Sequence, residues 1–199
     1  MRNSENIKAL VSLKPDYIGF IFYKKSKRYA EKVLDKAILN LIPTEINKVG
    51  VFVNEPIAEI HRICQKFSLN HVQLHGDEST EDCLKVKNLG YTLIKAFGIN
   101  EEFDFTSLDK YEKYVDFFLF DTKTKDYGGS GKAYNWKFLK KYKGEKPYFL
   151  SGGISKENVK EALMFDDKRM QVLDINSNFE SKPGLKNIKL LQEEVFTRI

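Results

Sequence analysis

The chain has few of the residues that cross-link or bind metal: two cysteines and three histidines in 199 residues. Cys64 and Cys83 fall in helical patterns with no metal-like spacing to a histidine, so a disulfide framework and a zinc site are both excluded, and a reducing, cytoplasmic setting fits. No apolar run approaches the roughly 18 residues needed to span a bilayer, and the opening MRNSENIKAL lacks a signal-peptide core, so no membrane is expected as a partner. No G-x-G-x-x-G follows an early strand, which removes the dinucleotide fingerprint. A large excess of one charge is also missing. Against 33 basic residues stand 28 acids, and the net +5 reads as a solvated surface rather than a nucleic-acid footprint.

What remains is core material. With 42% hydrophobic and 13% aromatic residues, the chain can fill one sizeable core, so residues 1–199 are expected to form one domain. Periodicity predicts a helix over Ser4–Leu13 with Asn3 or Ser4 as N-cap, then strand Tyr17–Phe22, helix Ala30–Leu41, strand Lys48–Val53 and helix Ile57–Phe67. Strand His71–Leu74, helix Thr80–Asn88 and strand Thr92–Phe97 follow, and after a variable patch at Glu101–Asp109 comes strand Val115–Asp121. A long loop leads to helix Trp136–Tyr142, strand Tyr148–Leu150, helix Lys156–Met164, strand Gln171–Ile175 and a final helix Leu185–Phe196. Strict alternation of strand and helix calls for a parallel sheet. Seven strands are read and the chain opens on a helix, whereas a (β/α)8 barrel runs strand first with eight strands over about 200–250 residues. The pattern is therefore α/β, a (β/α)8 TIM barrel whose first β-strand is missing from this chain. An open doubly wound sheet is the alternative, but residues suited to function follow nearly every strand rather than one switch point.

The candidate chemistry lies just past strand ends. FFLFDTKTKDYGGSG takes an apolar strand abruptly into Asp121 and then into a basic, glycine-rich loop. A strand buried on both faces delivers such a carboxylate to the border between interior and solvent, where α/β enzymes keep acids and bases. The loop Tyr127–Lys132 fails the P-loop pattern, since Ala133 stands where Ser or Thr would bind magnesium, so an active-site lid is expected. Ser151-Gly152-Gly153-Ile154 and Asp174-Ile175-Asn176-Ser177 follow the last two strands, the loops that commonly hold phosphate in barrels. Taken singly, Gly152 and Gly153 read as a tight turn and Asn176 and Ser177 as an Asx turn or cap; together at these two loops they favour phosphate binding. Arg28, in FIFYKKSKRYA, offers a fork for a substrate carboxylate or a surface salt bridge. The neighbouring Lys24, Lys25 and Lys27 would attract an anion or serve as ordinary solvated lysines. His75, in QLHGDES, reads as a ligand contact or a structural hydrogen-bonder, and Asn54, in FVNEP, as a helix start.

With these residues assembled, the chain resembles the phosphoribosylanthranilate isomerases of tryptophan biosynthesis. DYIGFIFYKKSKRY, KVGVFVNEP, VQLHGDES, FLFDTKTKDYGGSGKAYNW, FLSGGI and LDINSNFE follow in the family's order and spacing. The resemblance implies an Amadori rearrangement of N-(5-phosphoribosyl)anthranilate, a phosphosugar substrate, to the 1-deoxyribulose 5-phosphate product without a cofactor or metal. It assigns Asp121 as the general acid that protonates the furanose oxygen, a role a desolvated carboxyl suits unless Lys123 or Lys125 points inward. By the same matching Arg28 binds the anthranilate carboxylate, Gly152, Gly153, Asn176 and Ser177 bind the phosphate, and His75 and Asp174 line the pocket. The family's first strand ends in a Lys-Val-Cys-Gly type motif whose cysteine removes the sugar C2 proton; Met1–Ile7 matches the stretch just after it. The expectation is that this strand and base are absent, that Cys64 and Cys83 do not substitute by position, and that the 199-residue chain is nearly inactive until extended upstream. The competing readings are another phosphosugar barrel and an inactive phosphate-ligand binding barrel. A ribulose-phosphate epimerase would need metal-binding histidines and acids, and an indole-glycerol-phosphate synthase a lysine acid, for which Lys95 is the candidate.

Overall fold

Short runs of valine, isoleucine, leucine and phenylalanine fold into parallel strands because both faces of each run can be buried, one against helices and one against the facing strands. The computed structural model describes residues 1–122 and 136–196. Its elements are α1 (Ser4–Val11), β1 (Tyr17–Ile21), α2 (Lys36–Asn40), β2 (Asn47–Phe52), α3 (Ile57–Phe67), β3 (His71–Leu74), α4 (Thr80–Asn88) and β4 (Thr92–Ile99). After 3-10 turns come β5 (Phe117–Thr122), β6 (Tyr148–Ser151), α5 (Val159–Leu163), β7 (Met170–Leu173), β8 (Glu180–Lys182), β9 (Leu185–Lys186) and α6 (Ile188–Glu194). β1 to β7 pair in sequence order, every pair parallel, as one curled seven-stranded sheet. Among the described residues β1 and β7 have no strand between them. The sheet is thus a (β/α)8 barrel with one strand absent and a seam in its wall.

Two apolar layers hold the sheet. The larger packs helices on its outside, with Phe22, Phe52 and Phe67 stacked and Phe20, Phe118, Phe120 and Tyr148 fully covered. The smaller fills the barrel interior with Val49, Ile94, Ala96, Leu119 and Phe149. At the N-terminal ends of the strands an aromatic floor closes it, where Tyr17 meets Phe149 at 5.0 Å and His71 at 5.6 Å, and Phe117 meets Phe149 at 5.3 Å. The other end is left open for a ligand.

Most elements lie where periodicity predicts them, α3, β3 and α4 to the residue. Four segments differ, one of them the expected helix Lys156–Met164, which is helical only over Val159–Leu163. The expected helix Ala30–Leu41 is helical only over Lys36–Asn40, because Asp35 is extended and its carboxylate accepts the Ala37 N–H at 2.8 Å, starting the helix late. The expected helix Leu185–Phe196 begins at Ile188. Pro183 and Gly184 (φ 83°) turn the chain so that β8 and β9 pair antiparallel, and Asn187 then caps α6. The expected helix Trp136–Tyr142 is a 3-10 helix over Trp136–Lys141. Asn54 does not start a helix: at φ 51° its side-chain oxygen accepts the Asp77 N–H at 2.7 Å, tying the loop after β2 to the loop after β3. Among the described residues no helix is long and apolar enough to cross a membrane.

The seam has a dynamic consequence. Strands paired on one side open more readily than strands paired on both. In native-state hydrogen exchange, amides of β1 and β7 are expected to exchange well before those of β4 and β5; uniform protection across the sheet would contradict the seam.

Candidate active site

Side chains at odd positions of β5 point inward, so Phe117 and Leu119 build the floor and core while Asp121, one step further, reaches the mouth. Asp121 pairs in register with Gly98 of β4 and Ser151 of β6, which sets its height in the barrel. Its side chain is 30% exposed and lies 3.4 Å from His75 Nε2. His75 reaches the same level from β3 by the same alternation, through His71 and Gln73. The Gln73 amide nitrogen sits 2.8 Å from His75 Nδ1, so donation by that amide leaves the ring proton on Nε2, facing Asp121.

A buried ion pair holds this corner. Lys95 projects to the outer side of β4, is almost fully buried, and donates to Gly76 O at 2.8 Å and to Glu78 Oε2 at 3.1 Å. Glu78 in turn accepts the Asn54 N–H at 2.8 Å and the Gly76 N–H at 2.9 Å. Lys95 therefore fixes the loop that follows His75 and is fully engaged there, rather than standing free at a strand end as the acid of a synthase.

On the opposite wall, Ser151 Oγ donates to Asp174 Oδ2 at 3.0 Å, linking the residues after β6 and β7. Desolvation pushes the Asp174 carboxyl above the usual range, and the nearby Asp121 charge adds to this, against the opposing pull of Lys186, Ser151 and His75. Gly152 (φ 93°) and Gly153 (φ 63°) turn the chain away from β6 in a conformation that favours glycine. Asn178 Nδ2 donates to Ile154 O at 3.1 Å, so the two glycine and asparagine loops are neighbours. His75, Asp121, Gly152, Gly153, Asp174, Asn176 and Ser177 all line one cavity of about 1020 Å³ that opens at the mouth and along the seam.

Arg28 stands apart from that lining. Its Nε and one terminal nitrogen lie 2.8 and 2.7 Å from the same oxygen of Glu180 on β8. Of the neighbouring lysines, Lys24 is 3.8 Å from Glu55 in a largely exposed pair. The glycine loop Tyr127–Lys132, with Lys123 and Lys125, lies outside the described residues. Cys64 and Cys83 are buried in α3 and α4, away from the cavity, and burial pushes their thiols up to about 12 and about 11. Among the described residues no group of three or more His, Cys, Asp or Glu is arranged to hold a metal ion.

Four contributors were not singled out as site residues from the sequence. Gln73 and Ser151 are signalled by strand alternation, two residues from His75 and two beyond the inward-facing Phe149. Glu180 and Lys186 carry no such signal, because they act through a hairpin outside the barrel strands.

The raised Asp174 carboxyl gives a pH signature. A carboxyl that binds its proton more tightly when folded contributes most at low pH, and that contribution is lost as pH rises from about 4 through the raised value. Urea unfolding midpoints followed from about pH 4 to about pH 7 should show Asp174→Asn losing less stability with rising pH than the unsubstituted chain, by up to about 1.4 kcal/mol per pH unit. Parallel profiles would contradict the desolvation of this carboxyl.

The same fold is found in known proteins. The family described as N-(5'-phosphoribosyl)anthranilate (PRA) isomerase matches residues 1–196. The N-(5'-phosphoribosyl)anthranilate isomerase of Parabacteroides distasonis is 44% identical over 193 residues, covering 96% of this chain and 87% of that protein. Phosphoribosyl anthranilate isomerase from Thermotoga maritima superposes with a TM-score of 0.85 at 35% identity over 98% of this chain and 93% of its own. Another isomerase structure, solved in complex with reduced 1-(o-carboxyphenylamino)-1-deoxyribulose 5-phosphate, matches with a TM-score of 0.81 at 32% identity, covering 96% and 91%. With the fold, the cavity and these relatives in agreement, the chain belongs to the phosphoribosylanthranilate isomerase family of tryptophan biosynthesis.

Proposed function

We propose that the chain's cavity performs the family's Amadori rearrangement, converting N-(5'-phosphoribosyl)anthranilate to 1-(2-carboxyphenylamino)-1-deoxyribulose 5-phosphate, with Asp121 as general acid. The observation that carries this reading is the convergence of Asp121, His75 and Asp174 with the loops after β6 and β7 in one cavity. An isomerase relative solved with a reduced form of that product supports the substrate class. Asp121 gives its proton to the furanose ring oxygen as the bond from that oxygen to C1 breaks, and the anilino nitrogen's lone pair forms the C1–N double bond. Loss of the C2 proton then gives an enolamine, and protonation at C1 with loss of the C2 hydroxyl proton gives the ketone. No atom is gained or lost, so the protein need only move protons and hold the two ends of the substrate.

The substrate phosphate is assigned to Gly152, Gly153, Asn176 and Ser177, where two positive φ glycines permit close backbone approach. The anthranilate carboxylate is assigned to Arg28, whose fork is already oriented by the Glu180 carboxylate. His75 and Asp174 line the space between. Asp121→Asn keeps size and polarity but has no acidic proton to give, and should lower kcat by about 10²–10⁴ with little change in fold, read by the fluorescence of turnover and by circular dichroism. Undiminished turnover would remove Asp121 from the mechanism.

The C2 proton acceptor is assigned to a thiol that the described cavity lining does not contain, since both cysteines are buried elsewhere. The seam between β1 and β7 is where a strand ending in such a thiol would fit. A chain extended by one strand that fills the seam and ends in cysteine should turn over about 10²–10⁴ times faster than the 199-residue chain, in line with supplying an acid–base partner. Equal, robust turnover by both would place the base among the residues already present. Ligand binding without turnover by both would make this a phosphate-ligand binding barrel.

A further inference from the structure

The β8–β9 hairpin lies outside the barrel wall, yet its Lys186 side chain reaches the cavity. Lys186 of β9 is 10% exposed at its side chain, lines the cavity, and donates to Ile175 O at 3.0 Å, Asn176 O at 2.9 Å and Asn176 Oδ1 at 3.0 Å. Its ammonium also lies 3.7 Å from Glu180 Oε1, while the other oxygen of Glu180 takes Arg28. The backbone of Lys186 is pinned as well, since its N–H donates to Asn6 Oδ1 at 2.7 Å and its carbonyl accepts from Asn6 Nδ2 at 2.8 Å. A lysine buried this far is rarely placed for solubility, and three of its contacts fall on the two residues that follow Asp174.

We propose that Lys186 is the positioning residue of the phosphate subsite, its ammonium fixing the Ile175–Asn176 backbone and supplying the positive charge that an anion at this loop requires. The inference rests on the assignment of phosphate to the loops after β6 and β7. It follows from the contacts: a cation that donates to two carbonyls and a side-chain oxygen of one loop turns those acceptors toward itself. The opposite edge of the loop is then left to a ligand. The glycine and asparagine backbone supplies dipoles but no full charge, and Arg28 is engaged with Glu180.

The charge can be separated from the scaffold by pH. Desolvation lowers the pKa of Lys186 below the ordinary lysine value, with Arg28 adding to the fall and Glu180 and Asp174 opposing it. The Met1 amine, which also faces it among the described residues, is itself lowered by burial to about 5 and is neutral in the alkaline range. Inorganic sulfate is the probe, because its charge is constant from about pH 8 to about pH 10, above the range where imidazoles titrate. In calorimetric titrations of the whole chain, sulfate affinity should fall several-fold with rising pH, beginning below the range of an ordinary lysine, as Lys186 deprotonates. Lys186→Met should bind sulfate about tenfold more weakly at the lower pH and show no further fall, while Lys186→Arg should keep the affinity and lose the pH dependence. In turnover, Lys186→Met should raise KM for the phosphorylated substrate about tenfold and leave kcat within about threefold, as loss of uniform binding does.

Sulfate affinity that is flat with pH in the unsubstituted chain, or unchanged in folded Lys186→Met, overturns the role of Lys186 and leaves the subsite standing. Absence of any sulfate or phosphate binding by the unsubstituted chain overturns the subsite and this inference together. Should Lys186→Met fail to fold, the pH series of the unsubstituted chain and of Lys186→Arg decides alone.

Discussion

The parallel register from β3 to β7 is the constraint on which the site depends. β3 to β6 are buried on both faces, so their side chains must alternate strictly between the helix layer and the barrel interior, and a shift by one residue would exchange the two sets. That alternation puts Leu119 in the inner core and Asp121 two residues above it, and it does the same for Phe149 and Ser151. The pairing of Asp121 with Ser151, and the Asp174 N–H bonded to Leu150 O at 2.8 Å, bring residues distant in sequence to one height. The geometry of the candidate site is therefore a property of the sheet, and loop conformation only completes it.

Where the sheet's own hydrogen bonds stop, polar side chains take over the joining of its two edges. Across the seam Glu180 receives Arg28 from the chain after β1 and Lys186 from β9, and Lys186 grips the loop after β7. Asn6 of α1 adds two hydrogen bonds to the backbone of Lys186. These groups lie at the end of the barrel that carries the cavity. Buried charges cost desolvation, and here each ammonium and carboxylate has several partners, which is the condition under which such a network holds a geometry in place. Removing Glu180 would leave Arg28 and Lys186 facing each other without compensation.

This division explains what the sequence made legible. Strand runs such as FFLF and the alternation in HVQLH are local, period-two signals, and they identify the parallel sheet, its order and the residues that top its strands. The paired glycines and the D-I-N-S stretch were readable for the same reason, being short turn chemistry at strand ends. Helix boundaries were less so at Ala30–Leu41, because the Asp35 carboxylate competes for backbone N–H groups inside an otherwise helical pattern. The hairpin was signalled by Pro183-Gly184 but hidden beneath the helical periodicity that follows it. The Arg28–Glu180 pair spans 152 positions and was not legible at all, since neither residue's neighbours determine whom it meets. Sequence spacing locates charges along a strand but not the partners they choose across a fold.

The two carboxylates of the cavity are separated in environment more than in place, and this assigns their work. Asp174 accepts from Ser151, and desolvation shifts its carboxyl toward the protonated form. Asp121 keeps 30% of its side chain exposed and faces His75, the surroundings on which its proposed role as the acid rests. His75, fixed from behind by Gln73, presents Nε2 to that same carboxylate and favours a single orientation of it. An acid proposed to meet a ring oxygen needs a fixed direction, and the His75 contact supplies one for Asp121. Asp174 is better suited to shaping the electrostatic wall, where its charge and that of Lys186 oppose each other beside the loop assigned to phosphate. Exchanging the two sets of partners, Ser151 for His75, would retain every functional group and lose the orientation on which the proposed acid depends.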